Sequence, residues 1–520
     1  MNKDRLWFGG LLCAAVILYT FNLGELPLRD WDEGIVAGVA RNIWRADPGT
    51  NVWLYPTINN DQPYWNKPPL VHWLIAISYR YFGVSEWSTR LVPALISAFS
   101  VPLFYKIGRE IFTTRLPAIF SALVYLTLLP IARHGRLAML DGAITCWFSL
   151  TIWCLLRGRY RSQFLLGVGC GIGLVGLTKG VMMSVLLGGI VVIFLLWDAP
   201  KLLLSGYFWG GLVLGGIPAS AWYSLQYLHY GAEFLGVSLG EQTFNRVWQP
   251  VSDRSNPPWY YLIEIAKYTL PWLLFLPGGI KLALRDRNLS WAKLTLVWSG
   301  VYLLAISVMV TKLPWYIIPL YPALSLLIGV NLADAWQQRS QAYPYPWKIA
   351  LSLIAVISWG GSIYYGLINN IPSESDLSLI LAIAACSFTI AAIMLWLSSR
   401  YFILVIFTGF YLALLLLFNS GHWVWELGEA FPVKPVAVMI KQSTPSQQEI
   451  YTSYPQFRPS LEFYSDRVII PTSDQELTKY WQQKSPVYLL VEPSAIARLS
   501  LEPHKTLGNS VAWQLITQGN

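Results

Sequence analysis

Leu26-Pro27-Leu28-Arg29-Asp30-Trp31-Asp32-Glu33-Gly34 follows directly on an apolar run, Leu6 to Leu23, and the reading of this junction decides the fold. Charge beside a hydrophobic span is costly, and ionisable groups kept there usually mark a working site. The residues that follow, Ile35 to Trp44, place Ile35, Val36, Val39 and Ile43 at helical spacing, with Arg41 and Arg45 among them. That pattern predicts an amphipathic helix lying in the membrane interface, with Asp32 and Glu33 at its N-terminal end, where the helix dipole favours negative charge. The simpler alternative is that Asp32 only caps this helix. A cap accounts for one acid but not for three around a tryptophan.

Composition agrees with a membrane setting. Of 520 residues, 55% are hydrophobic and 12% charged, about half the charged fraction of an ordinary soluble chain, and the mean hydropathy is +0.45. The 26 Trp and 29 Tyr suit interfacial belts. The net charge of +9 therefore needs no nucleic-acid partner. Basic residues set topology and attract anionic lipid headgroups. The five cysteines lie inside apolar segments without a CxxC pair and read as small core residues. The first apolar run lacks a clear cleavage site and reads as a retained span, with Lys3 and Arg5 holding the N-terminus in the cytoplasm.

Apolar segments long enough to cross follow at 90–107, 116–132, 142–157, 163–178, 181–197, 206–222, 262–280, 292–310, 315–332, 348–366, 377–397 and 401–419, about thirteen in all with the first. The segment 68–82 is short, opens on two prolines and contains His72 and Arg80. If it does not cross, Lys106, Arg109, Arg115, Arg157, Arg159, Arg161, Lys281, Arg285, Arg287 and Arg400 all fall in cytoplasmic turns, as the positive-inside rule requires. It is therefore read as a second interfacial or re-entrant helix within an outer loop, 24–89. The expected fold is mainly α: a polytopic transmembrane module over 1–419, with an outer α/β domain over 420–520. Strands are expected at 468–470 and 487–491, and helices at 435–441 and 474–483.

This topology brings Asp32, Lys67, Arg90, Arg133, Arg136, Asp141, Lys179 and Lys312 to the outer side. Any one of them could simply snorkel, but together they read as a site for an anion. A compact lysine ammonium suits a phosphate. Asp141, close to Arg133 and Arg136, reads as an ionised orienting group or a local salt bridge. A second long outer loop, 223–261, holds Glu241, Gln242, Arg246, Asp253 and Arg254 and reads as a lid or substrate clamp. No His falls in a metal-ligand spacing such as HExxH.

Asp32-Glu33, then Asn66-Lys67-Pro68-Pro69-Leu70, Phe82 to Arg90, Arg136 to Asp141, Thr178-Lys179-Gly180 and Thr311-Lys312-Leu313-Pro314-Trp315-Tyr316-Ile317-Ile318-Pro319 form an ordered series over residues 1–335. The series resembles the polytopic glycosyltransferases of the C-type fold, in particular bacterial aminoarabinose transferases and protein O-mannosyltransferases. The resemblance implies transfer of a sugar from a polyprenyl-phosphate carrier to a lipid, glycan or protein acceptor, at the outer face of the inner or plasma membrane. It implies Asp32 as general base with Glu33 as its partner, and Lys67, Arg90, Lys179 and Lys312 at the donor phosphate. Arg136, Asp141, Glu241 and Arg246 take supporting places. Relatives that hold a metal have a Glu before the Lys-Pro-Pro element and a His in the later loop. Here the positions read Asn66 and Glu241-Gln242, so no cofactor and no metal is expected. The rival reading is a lipid-linked-sugar flippase, which would usually show internal repeats; halves 1–260 and 261–520 show none.

Overall fold

The computed structural model describes residues 3–58, 62–249, 256–337, 343–369, 374–425, 433–446, 448–454, 457–483 and 486–519. Asp253 and Arg254 lie outside them. Contacts divide the chain into two compact units, one of residues 1–23, 65–71 and 90–423, the other of 24–64, 72–89 and 424–520.

The first unit is a bundle of apolar helices, and the chain is a polytopic membrane protein. Among the described residues eight helices are long and apolar enough to cross a bilayer: Glu86–Ile111, Ser162–Lys179, Val181–Asp198, Ser290–Val308, Pro314–Gln337, Tyr345–Ile368, Ser375–Trp396 and Phe402–Asn419. Arg115–Thr127 with Leu129–Arg136 makes a ninth if this pair, bent by 58°, is one span. At the bend Leu128 turns to ψ 115° and Pro130 enters the first turn of the second piece, where its missing N–H costs nothing. The sequence expects thirteen spans, and the difference has local causes. Lys3–Thr20 opens on three charges, Asp141–Gly158 carries one near either end, and Gly206–Tyr230 is diluted by glycine and polar residues. The stretch 262–280 is broken into Tyr260–Tyr268, a 3-10 turn at Trp272–Phe275 and Leu276–Arg285. Gly169 and Gly173 on one helix meet Gly211 and Gly215 on another so closely that a Cβ on Gly169 or Gly173 would lie 1.9 Å from opposing backbone. Such small-residue crossings let membrane helices pack without side chains between them. This one seats the helix that ends in Lys179.

The second unit joins two parts of the chain that the sequence reading kept apart. Its first part holds a small antiparallel pair, β1 (Thr57–Ile58) with β2 (Gln62–Pro63). Its C-terminal part is a five-stranded sheet formed by β3 (Glu449–Thr452), β4 (Val468–Pro471), β5 (Tyr488–Val491), β6 (His504–Ser510) and β7 (Trp513–Gln518), in the order β4-β3-β5-β7-β6. Pairs β3–β4 and β3–β5 are parallel, β5–β7 and β6–β7 antiparallel. Leu490 packs with Ile440, Ile450 and Leu461, while its neighbour Leu489 packs with Leu477 and Ile516, so both faces of the sheet are covered. The expected helices appear as Val433–Ser443 and Asp474–Gln483. To this domain is bound the first long loop, with the Asp32–Arg45 helix and most of Leu70–Phe82. The latter helix has 13 residues and rises only ~20 Å, short of a ~30 Å hydrocarbon core.

The Asp32–Arg45 helix rests on the short helix Pro459–Ser465. Arg41 Nη1 donates to the Phe463 carbonyl at 2.7 Å, and Arg45 pairs with Asp466 at 2.6 Å. Beneath this contact Glu462 is buried and accepts the Ile469 N–H at 2.9 Å. Burial pushes its carboxyl up to about 7, with Arg41 opposing. The folded state therefore keeps a proton that the unfolded chain has released, and stability falls as pH rises from the ordinary glutamate range through 7. A shift of this size corresponds to about 3 kcal/mol. Glu462→Gln keeps the acceptor and removes the charge. It is expected to raise the apparent unfolding midpoint of the second unit at pH 8 and leave it nearly unchanged at pH 4.5; an unaltered pH dependence would refute this origin.

Candidate active site

Asp32 opens its helix from a strained turn. The Asp32 N–H bonds the Asp30 carbonyl at 2.8 Å across Trp31, whose φ and ψ are 59° and −80°. This is the rare γ-turn conformation, and a non-glycine residue so placed costs ~1–3 kcal/mol. Trp31 occupies the N-cap position and makes no side-chain capping bond. The Asp32 carboxylate keeps 26% exposure and lies 3.5 Å from Arg29 Nη2. Glu33 is fully buried, and its Oε2 accepts the Arg29 N–H at 2.9 Å, a brace across the same turn. Of the two acids at the helix start, Asp32 is the one whose side chain is partly exposed.

The first unit gathers a cationic cluster from five stretches of the chain. Pro68 and Pro69 fix the backbone just after Lys67, whose Nζ donates to Gln242 Oε1 at 3.3 Å. The same oxygen takes Arg246 Nη2 at 2.6 Å, and Gln242 Nε2 reaches Asn66 Oδ1 at 3.4 Å. Gln242 lies on a π-helix, Gly236–Phe244, a form common at functional sites. Arg246 Nη1 donates to the Tyr316 hydroxyl at 2.8 Å, and the Tyr316 ring lies 5.4 Å from Lys179 Nζ. Lys179 also pairs with the buried Asp141 carboxylate. Backbone bonds from Val310 and Thr311 to the Val247 and Arg246 carbonyls pin the segment, and Tyr302 holds the Tyr316 carbonyl at 2.8 Å. Three cations and one carboxylate leave an excess of positive charge. Lys67 is half-buried; lost hydration, with Arg246 and Lys179 nearby, holds its ammonium well below the usual lysine range.

The other expected site residues are placed differently. Arg90 and Arg136 gather around Trp423, 5.1 and 4.6 Å from its ring. Arg90 donates to the Leu23 carbonyl at 3.1 Å, and Arg136 to Leu18 and Phe21 at 2.8 and 2.7 Å. Arg133 Nε holds the Trp423 carbonyl at 2.7 Å. Arg90 and Arg136 satisfy carbonyls at and just past the end of the first helix, where cations are favoured, and Arg133 holds Trp423 in place; that is an anchoring task. Lys312 donates to the Ser307 carbonyl at 2.9 Å and to that of Met309, closing the end of Ser290–Val308. Asp141 pairs with Lys179 rather than with Arg133 or Arg136. Glu241 is exposed on the π-helix. The 223–261 stretch is largely helical up to Trp248 rather than an open lid. Asn66 and Gln242 are amides bonded to each other, and among the described residues no three His, Cys, Asp or Glu side chains come together. These residues do not fit a metal, and no step below uses one. Tyr316 went unassigned in the sequence although it stands in the Thr311–Pro319 motif; no signal marked Trp423.

Comparisons with known proteins converge on one class. Residues 66–224 match the dolichyl-phosphate-mannose–protein mannosyltransferase family. An undecaprenyl phosphate-α-4-amino-4-deoxy-L-arabinose arabinosyl transferase of Pseudomonas fluorescens is 29% identical over 52% of this chain and 50% of its own. The chain thus spans about half the length of that curated relative. An uncharacterized protein of Aquifex aeolicus is 27% identical over 88% of this chain and 87% of its own. In structure the chain is similar to ArnT from Cupriavidus metallidurans bound to undecaprenyl phosphate, with a TM-score of 0.81 at 20% identity and 98% of each chain covered. The fold is the C-type glycosyltransferase fold. Within that class the chain is aminoarabinose-transferase-like, as the ordered motifs imply.

Proposed function

We propose that this protein transfers a sugar from a polyprenyl-phosphate donor to a hydroxyl of a lipid, glycan or protein acceptor, on the extracytoplasmic side of the plasma (inner) membrane. The observation that carries the reading is the Lys67–Gln242–Arg246–Tyr316–Lys179–Asp141 network, which presents excess positive charge and whose Lys67, Asp141 and Lys179 lie in the stretch, 66–224, that matches the dolichyl-phosphate-mannose–protein mannosyltransferase family. Lys67 and Arg246 hold the donor phosphate, the guanidinium fork as oriented donor and the ammonium as point charge. Lys179 adds charge, and Asp141 fixes its position.

Asp32 serves as base. It takes the proton of the acceptor hydroxyl as that oxygen bonds to the anomeric carbon. The bond from that carbon to the phosphate oxygen breaks, and polyprenyl phosphate leaves with the electron pair, its charge met by the cations. A single direct displacement inverts the anomeric centre, as in other inverting sugar chemistry. Glu33 supports Asp32 through the turn it braces.

The test is incubation of the purified full-length protein with a panel of polyprenyl-phosphate sugars and envelope lipid acceptors, followed by mass spectrometry. A transferred sugar of inverted configuration is the expected product. Donor binding with no transfer from any member of the panel would favour the flippase reading.

A further inference from the structure

Asp30 was one of the three acids that made the first loop look catalytic, yet its side chain is committed elsewhere. It is buried. Its Oδ2 accepts from Arg458 Nε at 2.9 Å, and its Oδ1 accepts both the N–H and the hydroxyl of Ser460, at 3.1 and 2.7 Å. The Arg458 guanidinium itself lies over the Tyr454 ring, 4.5 Å from its centre. The same backbone turn meets the C-terminal domain at two more points. The Leu28 N–H bonds the Tyr464 hydroxyl at 2.8 Å, and Gly34 lies so near Pro459-Ser460 that a Cβ there would sit 2.6 Å from the Ser460 nitrogen. The turn so gripped is the strained one that ends on Asp32. A strained conformation persists only where its surroundings over-determine it, and here the surroundings come from residues 458–464.

We propose that Arg458 and Ser460 are positioning residues for Asp32, acting through the Asp30 carboxylate and the turn at Trp31, so that the C-terminal domain sets the geometry of the base. The proposal rests on Asp32 being that base. A buried carboxylate whose arginine is removed cannot remain as it was; the turn relaxes, and misplacement of a reacting group by about 1 Å costs up to a hundredfold in rate.

The experiment uses the full-length protein with Arg458→Ala, Arg458→Lys and Gly34→Ala, and three readouts: turnover with the donor identified by the panel, affinity for undecaprenyl phosphate, and amide hydrogen exchange. Arg458→Ala and Gly34→Ala are expected to lower kcat about tenfold to a hundredfold while phosphate affinity stays within about twofold. Exchange should quicken at the Leu28, Arg29, Asp32 and Gly34 amides and stay unchanged in β3, β5 and β7. Arg458→Lys should recover much of the loss. Wild-type kcat in both Arg458→Ala and Gly34→Ala, unchanged exchange at residues 28–34, or equal loosening of the sheet would each overturn the proposal; the last would make Arg458 a plain stabiliser of its domain. Full activity of Asp32→Asn would instead sink the base assignment, and the exchange result would still decide whether the clamp holds the turn.

Discussion

Asp32→Asn is expected to lower sugar transfer by about 10²- to 10⁴-fold, the range that positioned proton acceptors contribute, with undecaprenyl phosphate binding unchanged. The substitution is nearly isosteric. It keeps the bonds that Asp30, Arg41 and Arg45 make to Arg458, Phe463 and Asp466. What it removes is the one partly exposed carboxylate at the head of that helix. Single-turnover measurement with saturating donor separates chemistry from binding; a rate within tenfold of wild type would remove Asp32 from the reaction. Glu33→Gln makes the informative partner. Its amide oxygen can still accept the Arg29 N–H, so a purely bracing glutamate predicts a loss well below that of Asp32→Asn.

Arg246→Ala is expected to weaken undecaprenyl phosphate binding by about ten- to a hundredfold, corresponding to the ~1.5–3 kcal/mol of a hydrogen bond to a charged group. Two structural costs come with it: the Gln242 carbonyl and the Tyr316 hydroxyl both lose their guanidinium partner. Arg246→Lys should recover little, since an ammonium cannot span two acceptors and a phosphate with a planar fork. Lys67→Met should weaken binding too, with a different pH signature. The Lys67 ammonium is held below the usual lysine range, so in the wild type binding declines as pH rises through that lowered value and the positive charge is lost. In Lys67→Met that alkaline limb should be absent. Calorimetric titration from pH 6 to 10 checks both statements, and an identical limb in the variant would assign it to another group.

Much of the fold was legible because hydropathy reports burial in lipid over runs of about twenty residues. The eight spanning helices of the described residues and the strands at 468–470 and 487–491 therefore lie where the sequence expects them, while 262–280 is broken into three pieces. Strands β3, β6 and β7 were not read from the sequence. Of these β6, His504 to Ser510, is polar and sits at the sheet edge, so it has no apolar alternation to show. The site was legible in part for a physical reason. A cation beside a span looks the same in sequence whether it meets a phosphate or the carbonyls at a helix end. Lys67 joins a network whose other members lie about 175 residues or more away in sequence, apart from Asn66 and the Lys179–Asp141 pair. Arg90 and Arg136 close the first helix instead. Asp30 and Asp32 are equally indistinguishable as letters, and only the arrival of Arg458 and Ser460 separates the clamp from the carboxylate left open.

The grip of Arg90, Arg133 and Arg136 on Trp423 has a consequence for biogenesis. It ties residues 18–23 to residues 418–423, and Tyr411 adds a bond to the Ala14 carbonyl. Chains emerge from the ribosome N-terminus first, so the arginines that cap the first helix wait almost the whole of translation for the tryptophan they surround. Until then, the Arg90 and Arg136 guanidinium groups lack the Trp423 ring, and Arg133 lacks the Trp423 carbonyl. A polypeptide that ends before Trp423 is thus left open at its earliest seam, and truncation ahead of that residue is expected to expose the chain to quality-control proteases rather than merely shorten it.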